Sequence, residues 1–453
     1  MSQKAMPPRL ARTTFRTSRL LDFLSRKELI AQTGHQPDAW PLVVLKELVD
    51  NALDACEEAK TPPKIAVTLD KTGITVTDNG PGLPATTLHD VQDFSIKVSS
   101  REAYVAPTRG AQGNALKTIL AMPFVLDQRE GTVEVSAHGV RHTIRCQADP
   151  IRQLPVIDHQ EHPAPNVKIG TVVRVWWPNS ACSLLEKSQA RFLQMAEDFT
   201  WLNPHLSLTV HAFAEVRRIA ATDPTWAKWG PSDPTSPHWY TEAHLTRLVA
   251  AYIAHDQDAS HTTRMVRDLV SEFKGLTGTA KQKLVLEATG MARTPLAALG
   301  NGHGLNTAAV RRLLAAMREH SKPVPPTALG VLGRDHLARR FKALGCATAT
   351  FHYIKRADLD SGLPWVLEAA FGWLGEHATA RRLILGVNWS PGIGNPFREL
   401  GAFGTSLDSI LERQRAGRDE PVALLLHVAR PRVEFADRGK TSLLIETEEE
   451  EAS

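Results

Sequence analysis

The chain has 453 residues, of which 42% are hydrophobic and 23% are charged, and its formal net charge is only +4. This length predicts two or three domains with separate cores, and the small net charge does not by itself indicate a nucleic-acid-binding protein. No apolar run reaches the length of a membrane-spanning helix, and the four cysteines lack Cys-x-x-Cys spacing. We therefore expect a soluble cytoplasmic protein, with no membrane partner and no disulfide framework.

The first strong pattern lies in residues 41–60, where apolar residues recur at helical spacing beside a polar face. Glu47, Asn51 and Asp54 are four and three residues apart, so a helix would project all three to one side. At an ATP site Glu47 would orient and deprotonate the attacking water, and the Asn51 amide oxygen would hold Mg²⁺. Asp54 would contribute to nucleotide binding from the same face. On this stretch alone, an amphipathic helix with a merely solvated polar face remains an alternative.

Two short strands separated by a turn are predicted in residues 65–77, and the second leads directly into the sequence DNGPG at 78–82. Gly80 and Gly82 would let the backbone approach a ligand closely. Asp78 would accept a hydrogen bond from the exocyclic amine of adenine. Taken alone, the same pattern is typical of an ordinary tight turn.

A third element is the glycine-bearing loop that starts at residue 109 and runs into an apolar, helix-like stretch at 116–124. Main-chain N–H groups and a helix N-terminus would face a phosphate chain here. The loop lacks the Gly-Lys-Ser/Thr of a P-loop, which disfavours a Walker-type ATPase. The predicted nucleotide-binding residues in the loop and the helix are Gly110, Gln112, Gly113, Asn114 and Lys117.

A predicted strand at residues 169–175 carries the last of these motifs, Gly170-Thr171. The Thr171 hydroxyl would complete the contact with adenine. Each of the four motifs is weak alone, but their order along the chain is distinctive.

In this order, Glu-x-x-x-Asn, Asp-x-Gly-x-Gly, a glycine lid and Gly-Thr resemble the motifs of the GHKL ATPase superfamily. Within it the chain is most similar to the topoisomerase VI B-subunit family, from about Phe15 to Lys440. The segments that carry the resemblance are ELVDNALDA (47–55), TRGAQGNALK (108–117), WLNPH (201–205), 264–289, 313–333, 366–372 and 425–440.

The resemblance implies an α+β fold with three parts: a GHKL (Bergerat) ATPase domain with an N-terminal arm, a helix-two-turn-helix-like helical domain and an α/β transducer-like domain. We place them at residues 1–222, 239–321 and 323–445, followed by an acidic tail, 446–453, that we expect to be disordered. The basic N-terminus also fits a transit peptide formally. We favour an arm that crosses to a second protomer.

The resemblance also implies an ATP-dependent homodimeric clamp that hydrolyses Mg-ATP to capture or gate DNA for a DNA-cleaving A-type subunit or another nuclease. ATP would order a lid that begins at Ser99, and Lys440 would act as the switch lysine on the γ-phosphate. DNA would be held through its backbone, for which basic clusters at 311–312, 339–342 and 381–382 are candidates. The alternative function is an ATP-sensing GHKL regulator of a nuclease or other effector, for example in genome defence, without strand passage.

Two features depart from that family. Ala115 stands where a third lid glycine is usual, which makes the loop less permissive. The family continues past the switch lysine into long helices that bind the DNA-cleaving partner, whereas this sequence ends at Ser453 after an acidic run. We therefore expect that docking surface to be missing or replaced.

The histidines are scattered along the sequence, and none shows ligand spacing with a nearby acid. No zinc site is predicted. Mg²⁺ at Asn51 is the one metal that the sequence indicates.

Overall fold

The mixed α+β class predicted from the sequence is confirmed. Within the part of the chain that it describes, the computed structural model contains eleven α-helices and thirteen strands in two sheets. The described residues are 24–92, 103–109, 115–152, 154–258, 263–300, 304–375, 378, 380–400, 405–436 and 441–444.

The first sheet contains eight strands among the described residues, in the order β5-β4-β3-β6-β2-β1-β7-β8. All neighbours are antiparallel except β1 and β7, which are parallel. The strands are β1 (Lys64–Asp70), β2 (Gly73–Thr77), β3 (Gly131–Ala137), β4 (Val140–Asp149), β5 (Leu154–Pro163), β6 (Thr171–Trp176), β7 (Ser207–Ala212) and β8 (Glu215–Ile219). The accompanying helices are α1 (Arg26–Thr33), α2 (Trp40–Glu58), α3 (Ala85–Gln92), α4 (Ala115–Asp127) and α5 (Cys182–Leu202).

Helix α2 forms because its apolar residues occupy one wide face, and Leu45, Val49 and Leu53 on that face are completely buried. Pro41 stands in its first turn, where the helix needs no N–H donor. The buried face belongs to one apolar core shared with the first sheet, α4 and α5. This packing fixes α2 beside the carboxyl end of β2.

A helical region follows, and a second core includes its buried side chains. Its helices are α6 (Glu242–Asp258), α7 (Val266–Ser271), α8 (Thr279–Thr289), α9 (Thr307–Glu319) and α10 (Arg334–Ala343). Leu269 and Phe273 are completely buried in that core. Gly275, between α7 and α8, has a φ of +82°, which a glycine adopts without strain.

The second sheet has the strand order β12-β11-β13-β10-β9 within the described part of the chain. Strands β11 and β13 are parallel, and the other neighbours are antiparallel. Its elements are β9 (His352–Asp360), β10 (Leu363–Trp373), β11 (Arg382–Val387), β12 (Ser390–Pro391), α11 (Leu407–Arg413) and β13 (Val422–Ala429).

The second sheet shares the core of the helical region on one face and packs against α11 on the other. Its β11–β12 end lies against α2 and α5, so the two sheets meet through these two helices. In the part of the chain described by the structure, no helix is long and apolar enough to span a membrane.

Candidate functional site

The turn that follows β2 is tied to the start of β6. Asp78 Oδ1 accepts hydrogen bonds from the main-chain N–H groups of Gly80 (2.8 Å) and Thr171 (3.2 Å). The Asp78 N–H donates to the Thr171 carbonyl (2.9 Å), and the Gly170 N–H donates to the Gly80 carbonyl (2.9 Å). The structure thus brings together three residues that the sequence predicted to bind one ligand.

Position 170 requires a glycine for two reasons: the Asp78 main chain lies very close to it, and its φ is positive. Its φ is +78°, and a Cβ at this position would lie 1.9 Å from the Asp78 carbonyl oxygen. Gly82 also has a positive φ, of +92°. Any side chain at 170 would push the Asp78 turn away from β6, because real Cβ atoms do not approach an oxygen so closely.

The turn also packs against the C-terminal half of α2. A Cβ at Gly80 would lie 3.5 Å from the Ala55 Cβ, which is ordinary contact distance. Burial raises the pKa of the Asp78 carboxyl, and the hydrogen bonds from Gly80 and Thr171 act in the opposite direction. A half-buried carboxyl held by main-chain donors beside a helix is well placed to accept a hydrogen bond from a ligand amine.

The three polar residues predicted on one face of α2 have different surroundings. Asn51 is exposed and Glu47 is half-buried, so both are accessible from solvent. Asp54 is buried, and its Oδ1 lies 2.7 Å from Arg109 Nη1. The Asp54 carboxylate has an internal partner, whereas Glu47 and Asn51 are open to solvent. The contacts of all three residues with a nucleotide stay predictions.

Arg109 is the centre of a buried polar network that the sequence did not predict. Its two terminal nitrogens donate to both carboxylate oxygens of Glu57, at 2.7 and 2.8 Å. It also contacts Asp54 and donates to the Asn203 side chain. The guanidinium of Arg109 is fully buried, so these partners replace its hydration.

Two further groups complete the network at Glu57: Lys228 Nζ lies 2.9 Å and His205 Nε2 lies 3.1 Å from its oxygens. Burial raises the pKa of Glu57, but the charges of Arg109 and Lys228 outweigh this effect and hold the pKa well below its usual range. The carboxylate therefore stays charged.

A second set of contacts joins α2 to the second sheet. Lys46 Nζ donates to Asp50 Oδ2 (2.7 Å) and to Ser390 Oγ (2.6 Å), and Ser390 Oγ donates to the same Asp50 oxygen (2.7 Å). The Asn203 side chain donates to the Trp389 carbonyl (2.9 Å). The bonds of Lys46 and Asp50 link α2 to Ser390 on β12, and the Asn203 bond links the end of α5 to the β11–β12 turn.

Several predicted nucleotide ligands lie outside the described residues: Ser99, Gly110, Gln112, Gly113, Asn114 and Lys440. Lys117 lies in the first turn of α4 and is buried. The segment before the predicted phosphate loop is packed against the start of the helical region, since the Val105 N–H donates to the Tyr240 hydroxyl (3.0 Å) and the Thr235 hydroxyl to the Val105 carbonyl (2.6 Å).

Most arginines of the basic clusters have partners within the chain. Arg311 pairs with Glu242 at 2.7 Å, and Arg382 pairs with Asp198. The others donate to main-chain carbonyls: Arg339 to Thr222, Arg340 to Ala220 and Arg381 to Ala416. Arg381 also pairs with Asp408. The carboxylate pairs offset the charge of Arg311, Arg381 and Arg382, whereas the carbonyl contacts of Arg339 and Arg340 leave their charge unchanged.

Sequence spacing also missed a group of side chains on the first sheet. The antiparallel pairing of β4 with β5 sets His142 opposite Glu161, and His159 and His89 lie beside them. The histidines are scattered along the sequence, but strand pairing and α3 bring three of them together with Glu161 in the fold. These residues are up to 72 positions apart in the sequence.

Residues 39–180 match the family model described as histidine kinase-, DNA gyrase B-, and HSP90-like ATPase. This segment is similar to GHKL ATPase domains. The matched range includes α2, the Asp78 turn and the Gly170-Thr171 segment, so the GHKL match covers the geometry described above.

Curated relatives extend the similarity beyond the GHKL domain. The chain is 23% identical to the B-subunit of type 2 DNA topoisomerase 6 from Archaeoglobus fulgidus over 423 residues, which cover 89% of this chain and 66% of that protein. It is 32% identical to the protein of the same name from Natronomonas pharaonis over 134 residues, or 28% of this chain and 17% of that protein. The resemblance predicted from the motifs is confirmed, although the chain spans just under two thirds of the length of the Archaeoglobus relative.

Two solved structures are also similar to this chain. The B-subunit of DNA gyrase from Myxococcus xanthus is 10% identical, with a TM-score of 0.38, over 91% of this chain and 85% of that chain. The ATPase and transducer domains of DNA topoisomerase II from Balamuthia mandrillaris are 12% identical, with a TM-score of 0.38, over 89% of this chain and 76% of that chain.

Proposed function

We propose that this protein is an ATP-dependent dimerising clamp that binds and hydrolyses Mg-ATP to capture or gate DNA for a DNA-cleaving partner. The observation that carries the proposal is the Asp78 turn, which is fixed to Thr171 on one side and packed against α2 on the other. In this turn the Asp78 carboxylate is a hydrogen-bond acceptor that suits the amine of adenine. It lies beside α2, which bears the accessible side chains of Glu47 and Asn51.

In this proposal Asp78 accepts a hydrogen bond from the exocyclic amine of adenine, and Thr171 completes that contact. Gly80 and Gly82 let the main chain approach the base. Because Asp78 reads an amine, the site would prefer adenine to guanine, which carries a carbonyl oxygen at the corresponding position.

Asn51 offers an exposed amide oxygen, which is the type of ligand that Mg²⁺ prefers. When bound, Mg²⁺ would neutralise charge on the phosphate oxygens. Glu47 lies one helical turn before Asn51 and would orient the attacking water and accept its proton. Asp54 would contact the nucleotide while its Oδ1 keeps the pair with Arg109 (2.7 Å).

The phosphate chain would be bound by the loop and helix residues Gly110, Gln112, Gly113, Asn114 and Lys117, by a lid beginning at Ser99 and by Lys440 from the transducer-like domain. Nucleotide binding would favour a homodimer, and hydrolysis would change the angle between the two sheets. The link from α2 to β12 through Lys46, Asp50 and Ser390 supports such coupling, because it joins the two sheets beside the site.

The roles of DNA and of a DNA-cleaving A-type partner are proposed from the similarity to the topoisomerase 6 relatives. A second candidate is an ATP-sensing regulator of a nuclease or other effector, without strand passage. The observation that favours it is the pairing of Arg311, Arg381 and Arg382 with carboxylates of the same chain, which leaves less net charge at these clusters for phosphate contacts.

A binding titration tests the nucleotide site. Wild type, Asp78→Asn and Asn51→Ala would be titrated with a fluorescent ATP analogue, with and without Mg²⁺, and then competed with ATP or GTP. The control is Asp419→Asn, which changes an exposed aspartate outside the matched range.

We expect wild type and Asp419→Asn to bind alike and to prefer ATP to GTP. Asp78→Asn should bind about tenfold more weakly or worse, because an amide loses the charged acceptor. For Asn51→Ala, the affinity for the ATP analogue should no longer increase when Mg²⁺ is added. Wild-type protein that binds no nucleotide, or Asp78→Asn with unchanged affinity, would contradict the proposed site.

A further inference from the structure

Three imidazoles and one carboxylate converge on the outer part of the first sheet. His142 lies on β4, His159 and Glu161 lie two residues apart on β5, and His89 lies on α3. Residues two apart on a strand point to the same face, and the register sets His142 directly opposite Glu161. The His159 ring centroid is 5.0 Å from that of His89 and 5.2 Å from that of His142.

The possible ligand atoms lie close together. Those of His89, His159 and Glu161 are all within 4.8 Å of one another. His142 Nδ1 lies 3.0 Å from His159 Nε2 and 3.4 Å from Glu161 Oε1, and His89 Nε2 lies 3.8 Å from the same oxygen. Ligands of a tetrahedral site with bonds of about 2.1 Å are roughly 3.4 Å apart. The separations of 3.0, 3.4 and 3.8 Å lie around that value.

We propose that His89, His142, His159 and Glu161 form a binding site for a divalent transition metal ion of the zinc class. Imidazole nitrogens suit Zn²⁺ and its neighbours in the first transition row, whereas Mg²⁺ and Ca²⁺ prefer all-oxygen sites. Three nitrogens and one carboxylate oxygen therefore select the transition metal.

Gln92 contacts the second ring nitrogen of His159. Its side-chain amide nitrogen lies 3.1 Å from His159 Nδ1 and donates to the Leu88 carbonyl (3.0 Å). An amide nitrogen that donates to Nδ1 leaves the ring proton on Nε2, so metal binding through Nε2 requires the Gln92 amide to turn and present its oxygen to an Nδ1–H group.

The exposure of the four residues suits a site that an ion can enter. The His142 side chain is only 4% exposed, whereas those of His89 and Glu161 are 58% and 52% exposed. A bound ion would thus have a fixed inner wall and an accessible outer side. It would join α3, which begins shortly after the Asp78 turn, to the β4–β5 hairpin, and would stabilise the fold by binding the native state only.

Isothermal titration with Zn²⁺ tests the proposal on the full chain, without a histidine tag and after treatment with a chelator. Co²⁺ provides a second readout, because its visible absorption reports nitrogen and oxygen ligands directly. The variants are His89→Ala and Glu161→Gln, which change the two most exposed members of the cluster. The matched control is His162→Ala, because His162 is exposed and neighbours Glu161 on the opposite face of β5.

We expect wild type and His162→Ala to bind one equivalent of Zn²⁺ and to unfold at a higher temperature when it is present. His89→Ala and Glu161→Gln should bind about tenfold more weakly or worse, and should keep the metal-free unfolding midpoint of wild type. Wild type with no stoichiometric binding would overturn the proposal, as would equal affinities for His89→Ala and His162→Ala. Neither readout depends on ATP. A negative result for the metal site is therefore distinct from a failure of the proposed nucleotide function.

Discussion

Arg109 and Glu57 form a buried bidentate ion pair, with guanidinium nitrogens 2.7 and 2.8 Å from the two carboxylate oxygens. Arg109 directly precedes the predicted phosphate loop, and Glu57 lies at the end of α2. The same guanidinium contacts Asn203, whose amide reaches the β11–β12 turn. The pair therefore connects the loop, the helix that bears Glu47 and the second sheet.

Replacing Arg109 tests this connection. Arg109→Ala should lower the free energy of unfolding by about 3–5 kcal/mol, because it leaves the buried carboxylates of Glu57 and Asp54 without their main counter-charge. Arg109→Lys should recover only part of the loss, since an ammonium group cannot bind both Glu57 oxygens in one plane. Urea denaturation followed by circular dichroism measures the difference.

Arg129→Ala is the matched control for this pair, because Arg129 is exposed. It should change the free energy of unfolding by less than about 0.5 kcal/mol. If Arg109→Ala were as stable as Arg129→Ala, the network would not have the structural role inferred from its geometry.

Substitutions at two glycines distinguish the cost of backbone strain from the cost of a steric clash. Gly170 and Gly139 have nearly the same φ, +78° and +79°. A Cβ at Gly139 meets no atom within 4 Å, whereas one at Gly170 would lie 1.9 Å from the Asp78 carbonyl oxygen. Gly139→Ala should therefore cost only about 1–2 kcal/mol of strain, and Gly170→Ala considerably more.

The measurement is urea denaturation of both variants together with nucleotide titration. Gly170→Ala should also lose affinity for ATP, because the Asp78 turn must move, while Gly139→Ala should bind as wild type does. Equal stability and equal affinity for the two variants would argue against a site built on the contact between residues 170 and 78.

His336 should make the fold sensitive to acid. Its Nε2 donates to the Trp201 carbonyl (2.8 Å), and its Nδ1 accepts from the Thr222 hydroxyl, so the ring is held in its neutral form. Burial lowers the pKa of His336 to about 4, from an ordinary value of 6.5. The unfolded chain therefore takes up a proton before the folded chain does, and stability is lost as the pH falls from 6.5 towards about 4.

The loss from this residue should be on the order of 3 kcal/mol in total. Denaturation of wild type and His336→Gln at pH 7.5 and near pH 5 measures it: His336→Gln should be less stable at the higher pH and should lose less on acidification. His352→Gln, which changes an exposed histidine, should follow wild type. A pH dependence that is the same in His336→Gln and wild type would exclude this residue as the cause.

The parts of the site that the sequence predicted are those set by local chemistry. The apolar spacing of residues 41–60 predicted α2 (Trp40–Glu58), and the turn residues after β2 predicted a tight loop at Asp78. The contact of that loop with Thr171 depended on a resemblance, because the two segments are 93 residues apart.

What the sequence missed depends on tertiary pairing. Helical spacing predicted Asp54 as a nucleotide ligand but could not show its buried contact with Arg109, 55 residues later. The basic pair at 381–382 suggested free charge, yet the partner of Arg382, Asp198, is 184 residues away. His89, His142 and His159 come together through the β4–β5 register and the position of α3, which spacing in a single sequence does not reveal.

The most direct test of the account is ATP turnover by Glu47→Ala, compared with wild type and with Glu186→Ala, a change at an exposed glutamate on α5. We predict that Glu47→Ala binds Mg-ATP as wild type does but hydrolyses it about a hundredfold more slowly or worse, because the water loses its general base. Glu186→Ala should turn over normally. Equal hydrolysis by Glu47→Ala and wild type would contradict the assignment of Glu47 as the base.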